Sequence, residues 1–384
     1  MITTILKIIL NMKQGFRGYY HRVSLLFLLL ILFLLFFLFL FSCASFRYIV
    51  DQGSGQLKIQ NSAVTNEKAL QDPRISKEDK RKIQEIIQYK KYFYDYFQKR
   101  ASGIYSKTTI LEHSEVSHMV VASRFNEIKA KEHCFWFVGC FPYLGFFNHK
   151  AAEEYVQSLE QEGYVTLKRP IYAYSTLGYF EDTILSSFFN FSNESLAELV
   201  FHELFHTIFF IKGEVGFSEN LANYMGEEMA FEYFHYTEEK KKEIKSFRSN
   251  RQKLNNLAVA LIKELSLRYQ KEKPADKVSG QQMLNQFLQE RFFPTLAKEC
   301  KILKLERNGK CSFLERTWNN ASMTLFLTYE ESVDDFGKIR EKLHLPIKEF
   351  LSYIETQYGM YKKLPSDKRE QGFAGFFFSA IHDR

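Results

Sequence analysis

Two imidazoles and a carboxylate, HELFH at His202 to His206, sit inside the apolar run LAELVFHELFHTIFFI, Leu196 to Ile211. No other stretch limits the fold as sharply, because a core-facing segment does not carry three polar heads without partners for them. Ser195 and Glu198 form a Ser-x-x-Glu capping box, which predicts a helix from near Leu196 to about Ile211, where Lys212 and Gly213 stop it. On that helix His202 and His206 lie four residues apart and share a face, while Glu203 sits about 100° round. Leu196, Leu199, Val200, Leu204, Phe205, Ile208, Phe209 and Phe210 make the same helix apolar nearly all round, so it is buried on several sides. Burying the three heads costs several kcal/mol unless each is paired.

A divalent ion offers that pairing. Two histidines one turn apart can both reach a zinc at about 2.0 to 2.1 Å. A carboxylate beside them can take the proton of a water that zinc has brought toward a pKa of about 7. Chance places His-Glu-x-x-His in about two of a hundred chains of this composition, so the buried context carries the argument against a pair of satisfied core histidines. A catalytic zinc keeps three protein ligands, and the third has to come from GEVGFSENLANYMGEE downstream. Glu214 is too close to the turn. Glu219 is favoured because it follows Gly216, Phe217 and Ser218 at the start of a second, antiparallel helix, with small Ala222 allowing close approach. Glu227 and Glu228 remain open on spacing alone.

The N-terminus adds an address. Lys7, Lys13, Arg17 and Arg22 precede VSLLFLLLILFLLFFLFLFS, Val23 to Ser42, a charge-free stretch of the roughly 20 residues that span a bilayer. The basic flank predicts that everything after Cys43 lies on the non-cytoplasmic side. Two readings stand: an uncleaved signal anchor, or a lipobox of Leu40, Phe41, Ser42 and Cys43 in which Cys43 becomes the lipidated N-terminus. Phe41 is bulky for the second. Either leaves a tethered, exported domain.

An oxidising compartment suits the remaining cysteines, Cys134, Cys140, Cys300 and Cys311, whose spacing is not that of zinc knuckles. Disulfides are expected, with three connectivities open. The 52 basic and 45 acidic side chains give +7, but the excess is spread over stretches such as EEKKKEIKSFRSNRQK, which reads as a solvated helix face. No nucleic-acid partner is expected.

The mature chain divides into a helical scaffold at 44–115, a sheet and metal-site core at 116–235, and a helical C-terminal part at 236–384, after a signal or anchor at 1–43. The first part opens with FRYIVDQGSGQLKIQNS, read as an extended lead, followed by the amphipathic SKEDKRKIQEIIQYKKYFYDYFQK. HMVVASRF, CFWFVGCF and YVTLKRPIYAY read as strands of a small sheet around the helix AAEEYVQSLEQEG. From Ser195 onward the pattern is mostly helical. The expected fold is therefore α+β and mainly helical, with a zincin-like helix pair beside a small β-sheet.

FRYIVDQGSGQL, CFWFVGCFPYLGFF, AYSTLGYFEDTIL, FHELFHTIFFIKGEVGFSENLA and WNNASMTLFLTYEESVDDF together resemble a family of bacterial aminopeptidases of gluzincin type, many of which begin with a lipoprotein signal. In that family the last metal-site segment reads Phe-Asn-Glu, a hydrophobic residue, then Ala. Phe217, Ser218 and Glu219 occupy it here, so the resemblance implies Glu219 as third ligand, with Ser in place of Asn. Phe205 and Thr207 likewise stand where the family usually has Ala and Gln. Tyr172 and Tyr174 fall at a stretch that, as an edge strand, would take an extended peptide by backbone hydrogen bonds. Asn319, Asn320 and Tyr329 also match family positions, and Asn320 and Tyr329 join the two tyrosines as candidate substrate contacts. A strand and turn packing under the helix is the favoured reading of each tyrosine in that stretch, and helix packing accounts for Asn320 and Tyr329 equally well.

These observations point to a zinc metallopeptidase in the bacterial cell envelope, tethered to the membrane and facing the periplasm. His202, His206 and Glu219 would hold Zn2+, Glu203 would activate water, and a peptide or protein would be the substrate. A non-catalytic envelope scaffold with a structural or vestigial metal site is the alternative.

Overall fold

The computed structural model describes the chain from Ala44 onward except for 136–138, 175–180, 330–335, 366–368, 370 and 383–384, and before Ala44 only residues 28, 31 and 33. Cys43 and nearly all of the apolar run Val23 to Ser42 lie outside the described residues. Among the described residues, no helix is long and apolar enough to cross a membrane. Two compact units are delimited, Met1–Leu57 and Lys58–Arg384, and the candidate site belongs to the second.

The chain begins with α1 (Ala44–Ser62), β1 (Val64–Thr65), α2 (Asn66–Gln71), α3 (Lys77–Phe97) and β2 (Lys107–Thr109). Next come β3 (Ser117–Arg124), β4 (His133–Phe135), β5 (Gly139–Phe141), β6 (Leu144–Phe146), α4 (His149–Gln161), β7 (Tyr164–Ile171) and β8 (Ile184–Leu185). A 3-10 turn at Ser186–Asn190 leads into α5 (Asn193–His206), α6 (Val215–Tyr233) and the long α7 (Glu238–Glu272). The rest is helical: α8 (Lys277–Phe287) continues through a π turn into α9 (Phe293–Ile302), followed by α10 (Asn320–Tyr329), α11 (Phe336–Leu343), α12 (Ile347–Lys363) and α13 (Gly372–His382). The fold is thus α+β and mainly helical.

The strands make two three-stranded sheets and a hairpin among the described residues. In the larger sheet β3 lies between β6 and β7, antiparallel to both, with Val120 opposite Leu144 on one side and Lys168 on the other. β4 and β5 pair antiparallel, which sets Cys134 opposite Cys140. These two cysteines are bonded to each other, and Cys300 is bonded to Cys311. The segment FRYIVDQGSGQLKIQNS lies within α1 and is not extended. Its glycines cost a helix about 1 kcal/mol each, and with no proline the local i to i−4 bonds still outweigh them.

Two features of the main core seat α5. Phe93, Tyr89 and Phe97 line the inner face of α3 at helical spacing, and the Phe93 and Phe201 rings stack with centroids 6.2 Å apart. Lys82, buried on α3, donates to the Phe191 carbonyl at 2.9 Å and to Asn193 Oδ1 at 2.5 Å, which fixes the start of α5. At the other end Tyr94 meets Thr207 Oγ1 at 2.7 Å. A second core gathers α7, α8 and α9 around Leu261, Leu284, Phe292 and Trp318. Asn319 and Asn320 then tie α10 to the larger sheet: Asn319 Nδ2 donates to the Thr166 carbonyl, and Asn320 Nδ2 to those of Arg124 and Glu127.

Candidate metal centre and its cleft

Helix α5 starts three residues before the expected position and ends well short of Ile211. Ser192, not Ser195, is the N-cap: its hydroxyl accepts from the Ser195 amide. Glu198 is not part of a capping box but pairs with Arg248 of α7 at 2.7 Å. The C-terminal shortening has a local cause, because Thr207 turns its hydroxyl onto the Leu204 carbonyl at 2.6 Å and the chain leaves the helix there. His202 and His206 therefore lie in the last two turns of α5, next to the loop that leads to α6.

That loop is closed by Ser218. Its buried hydroxyl accepts from the Ile211 amide at 3.1 Å, while its own amide donates to the Glu214 carbonyl. Helix α6 begins at Val215, four residues earlier than expected, so Glu219 occupies its second turn and faces α5. Two further contacts hold α6 in place. Gly226 packs so tightly on α5 that an added Cβ would lie 2.8 Å from the Glu198 carbonyl oxygen and 3.1 Å from the His202 amide nitrogen. Phe217 is seated by the rings of Phe336, Phe373 and Phe377, at centroid distances of 5.3, 5.0 and 5.6 Å.

The outcome is a convergence of three donor groups. His202 Nε2 and His206 Nε2 lie 3.1 Å apart, and Glu219 places one carboxylate oxygen 3.3 Å from each. The ligand atoms of these three residues all lie within 4.8 Å of one another. Hydrogen bonds from the His202 and His206 rings, with their charge, hold the Glu219 carboxyl down at about 2 against the opposing effect of burial. His206 Nδ1 is buried with no hydrogen-bond partner among the described residues, leaving Nε2 as its polar outlet. A small divalent cation fits this donor set, because two imidazole nitrogens 3.1 Å apart face the two oxygens of one carboxylate, close enough for all three side chains to reach a single ion.

Glu203 stands beside the triad, half-buried, with one oxygen fully enclosed. It lies close enough to the buried Tyr105 to help raise that phenol's pKa well above its usual value, after burial and ahead of Asp182. His202 and Glu203 also form part of the wall of a cleft of about 860 Å³ between α5, α6, α7 and α11, with Asn220, Asn223 and Tyr224 on the facing helix. Among the described residues, no strand contributes to that wall, which is lined by helices.

Glu227 and Glu228 are committed elsewhere. Glu227 pairs with Arg248, and burial pushes its carboxyl up against the pull of that guanidinium. Glu228 is buried between Lys245 at 2.9 Å and Arg340 at 2.7 Å. Glu214 accepts from the Phe373 amide at 2.5 Å and so anchors α13. Of the acidic residues weighed from sequence, only Glu219 meets both histidines.

Of the other candidate contacts, Tyr172, Tyr174 and Asn320 are not part of the cleft wall. Tyr172, exposed, offers its carbonyl to Ser187 at 2.5 Å, and Tyr174 packs edge-on against Phe147 at 5.8 Å. Both follow the end of β7 in irregular backbone, and much of the intervening stretch to Thr183 lies outside the described residues. Asn320 is buried in the bracket to the sheet, with Oδ1 accepting from Tyr269 at 3.3 Å. Tyr329 ends α10, and its side chain is outside the described residues. Sequence reading did not find Gly226, Tyr224, Lys245, Arg248 or Tyr105, and only Gly226 left a signal: a glycine one helical turn after Ala222 on the side that must approach α5.

Searches of curated proteins and of solved structures returned no match. A family model described as "Putative aminopeptidase" matches residues 47–372, which is most of the chain. A chain that matches over this length, and whose two central helices bring His202, His206 and Glu219 together, belongs to that aminopeptidase family.

Proposed function

We propose that the chain is a zinc aminopeptidase of gluzincin type, tethered to the bacterial envelope and acting on peptides or proteins outside the cytoplasm. One observation carries the reading: His202, His206 and Glu219 converge within 4.8 Å at the edge of a cleft whose wall includes Glu203. Family membership supports the peptidase chemistry.

His202 and His206 would hold zinc through Nε2, and Glu219 through its carboxylate. When bound, zinc polarises a carbonyl and acidifies water. Glu203 takes the proton from the attacking water onto a carboxylate oxygen and hands it to the departing amine nitrogen as the peptide bond breaks. The enclosed side of Glu203 limits solvent access to that proton. Ser218 and Gly226 keep α6 at the distance from α5 that the pair of histidines and Glu219 requires. Tethering would run through Val23 to Ser42 or through a lipid on Cys43.

The test is zinc content and peptide hydrolysis measured together on the purified full-length protein. Wild type should carry zinc and cleave unblocked peptides. Glu203→Gln should keep the metal and lose about 10²- to 10⁴-fold in turnover, the usual weight of a general base. Undiminished hydrolysis by a pure Glu203→Gln preparation refutes the assignment.

A further inference from the structure

A second convergence of imidazoles and carboxylate lies in the larger sheet, outside the site already described. Glu115 precedes β3, His118 is the second residue of β3, and His149 is the first residue of α4. His118 Nε2 lies 3.2 Å from His149 Nδ1 and 3.6 Å from Glu115 Oε1, and the donor atoms of the three residues fall within 4.8 Å of one another. These spacings repeat those of His202, His206 and Glu219 within a few tenths of an ångström.

Two independent details give the cluster direction. His118 is more than nine-tenths buried, and its Nδ1 has no hydrogen-bond partner among the described residues, so its only polar outlet is Nε2, turned toward the other two groups. His149, half-exposed, contacts the Glu153 carboxylate through Nε2 at 2.9 Å. A donor at Nε2 leaves the Nδ1 lone pair of a neutral imidazole free to point at His118 and Glu115, and a carboxylate behind the ring is the usual support of a metal-ligating histidine. Lys168, the nearby cation, is bound to the same Glu153 oxygen at 2.9 Å, and its charge also acts on His118. Ser114 donates to the other Glu115 oxygen at 2.6 Å and orients that carboxylate.

We propose that Glu115, His118 and His149 bind a second zinc ion that pins the start of α4 to β3. Two imidazoles and one carboxylate suit zinc, and the exposed side at His149 leaves a coordination position for water and a route for exchange. The proposal does not depend on catalysis at the first site.

The test strips full-length protein in detergent with a chelator, equilibrates it with Zn2+, and counts zinc per chain by mass spectrometry. His149→Ala and Glu115→Gln, at partly exposed positions, should each bind one zinc fewer than wild type while peptide hydrolysis stays unchanged. Glu153→Gln should retain the ion at saturation but bind it about 10- to 100-fold more weakly. If wild type binds one zinc and His149→Ala none, the second site stands and the proposed active centre fails. If His149→Ala matches wild type in zinc count and affinity, the proposal is overturned, and the cluster is a hydrogen-bonded pair of histidines.

Discussion

Gly226→Ala tests whether contact between α5 and α6 sets the metal centre. The new methyl would lie 2.8 Å from the Glu198 carbonyl oxygen, 3.1 Å from the His202 amide nitrogen and 3.3 Å from His202 Cβ. Relaxed carbon to carbonyl oxygen contacts are about 3.3 to 3.6 Å, so the helices must part by about 0.5 Å or more. The obstructing atoms are mostly backbone and cannot swing aside. Overpacking of this kind costs about 1 to 3 kcal/mol, offset by the roughly 1 kcal/mol that alanine gains over glycine in a helix. The net loss is about 0 to 2 kcal/mol. Gly359, in α12, has open space where its Cβ would be, and Gly359→Ala should show only the gain, about 1 kcal/mol. Denaturant unfolding of both variants separates strain from propensity, with an expected difference of about 1 to 3 kcal/mol. Because the displacement falls at His202, Gly226→Ala should also weaken zinc binding at least tenfold, as ligand sets tolerate about 0.5 Å of error. A Gly226→Ala protein as stabilised as Gly359→Ala, with wild-type zinc affinity, would refute the reasoning.

Ser218→Ala removes the acceptor of the Ile211 amide, and leaving that buried donor unsatisfied should cost about 1 to 3 kcal/mol in chemical unfolding and weaken zinc binding. Arg340→Met should cost about 2 to 4 kcal/mol because it strands the buried Glu228 carboxylate with Lys245 alone, whereas Arg340→Met combined with Glu228→Gln should recover much of that loss. Replacing Cys300 and Cys311 together by alanine opens an 11-residue loop and should cost about 3 kcal/mol on chain-entropy grounds, read as a lower midpoint of unfolding under non-reducing conditions.

The parts of the site that were legible in sequence are those set by local periodicity. His202, Glu203 and His206 lie within one and a half turns of one helix, and helical spacing alone puts the two imidazoles on one face. Glu219 was singled out on a helix start that in fact falls four residues earlier, at Val215, and on the small Ala222 beside it. The helix ends were not legible: Thr207 and Ser192 decide them through single hydroxyl bonds, and a competing Ser-x-x-Glu pattern three residues on was available but unused. Pairings across long separations leave no local signal, as with Arg248 meeting Glu198 and Glu227, or His118 meeting His149. The α1 segment was misread because two glycines suggest a break, although neither prevents helical hydrogen bonds.

Phe217 and Glu214 bracket the start of α6, and both are held by residues of α13: Phe217 by the Phe373 and Phe377 rings, and Glu214 by the Phe373 amide, 159 positions downstream. Closing so long a loop is slow relative to forming either helix. A chain synthesised from its N-terminus thus completes HELFH and Glu219 before the α13 residues that seat Phe217 and Glu214 are made. A polypeptide interrupted before Phe373 would carry His202, His206 and Glu219 but lack the aromatic and amide contacts that seat the start of α6.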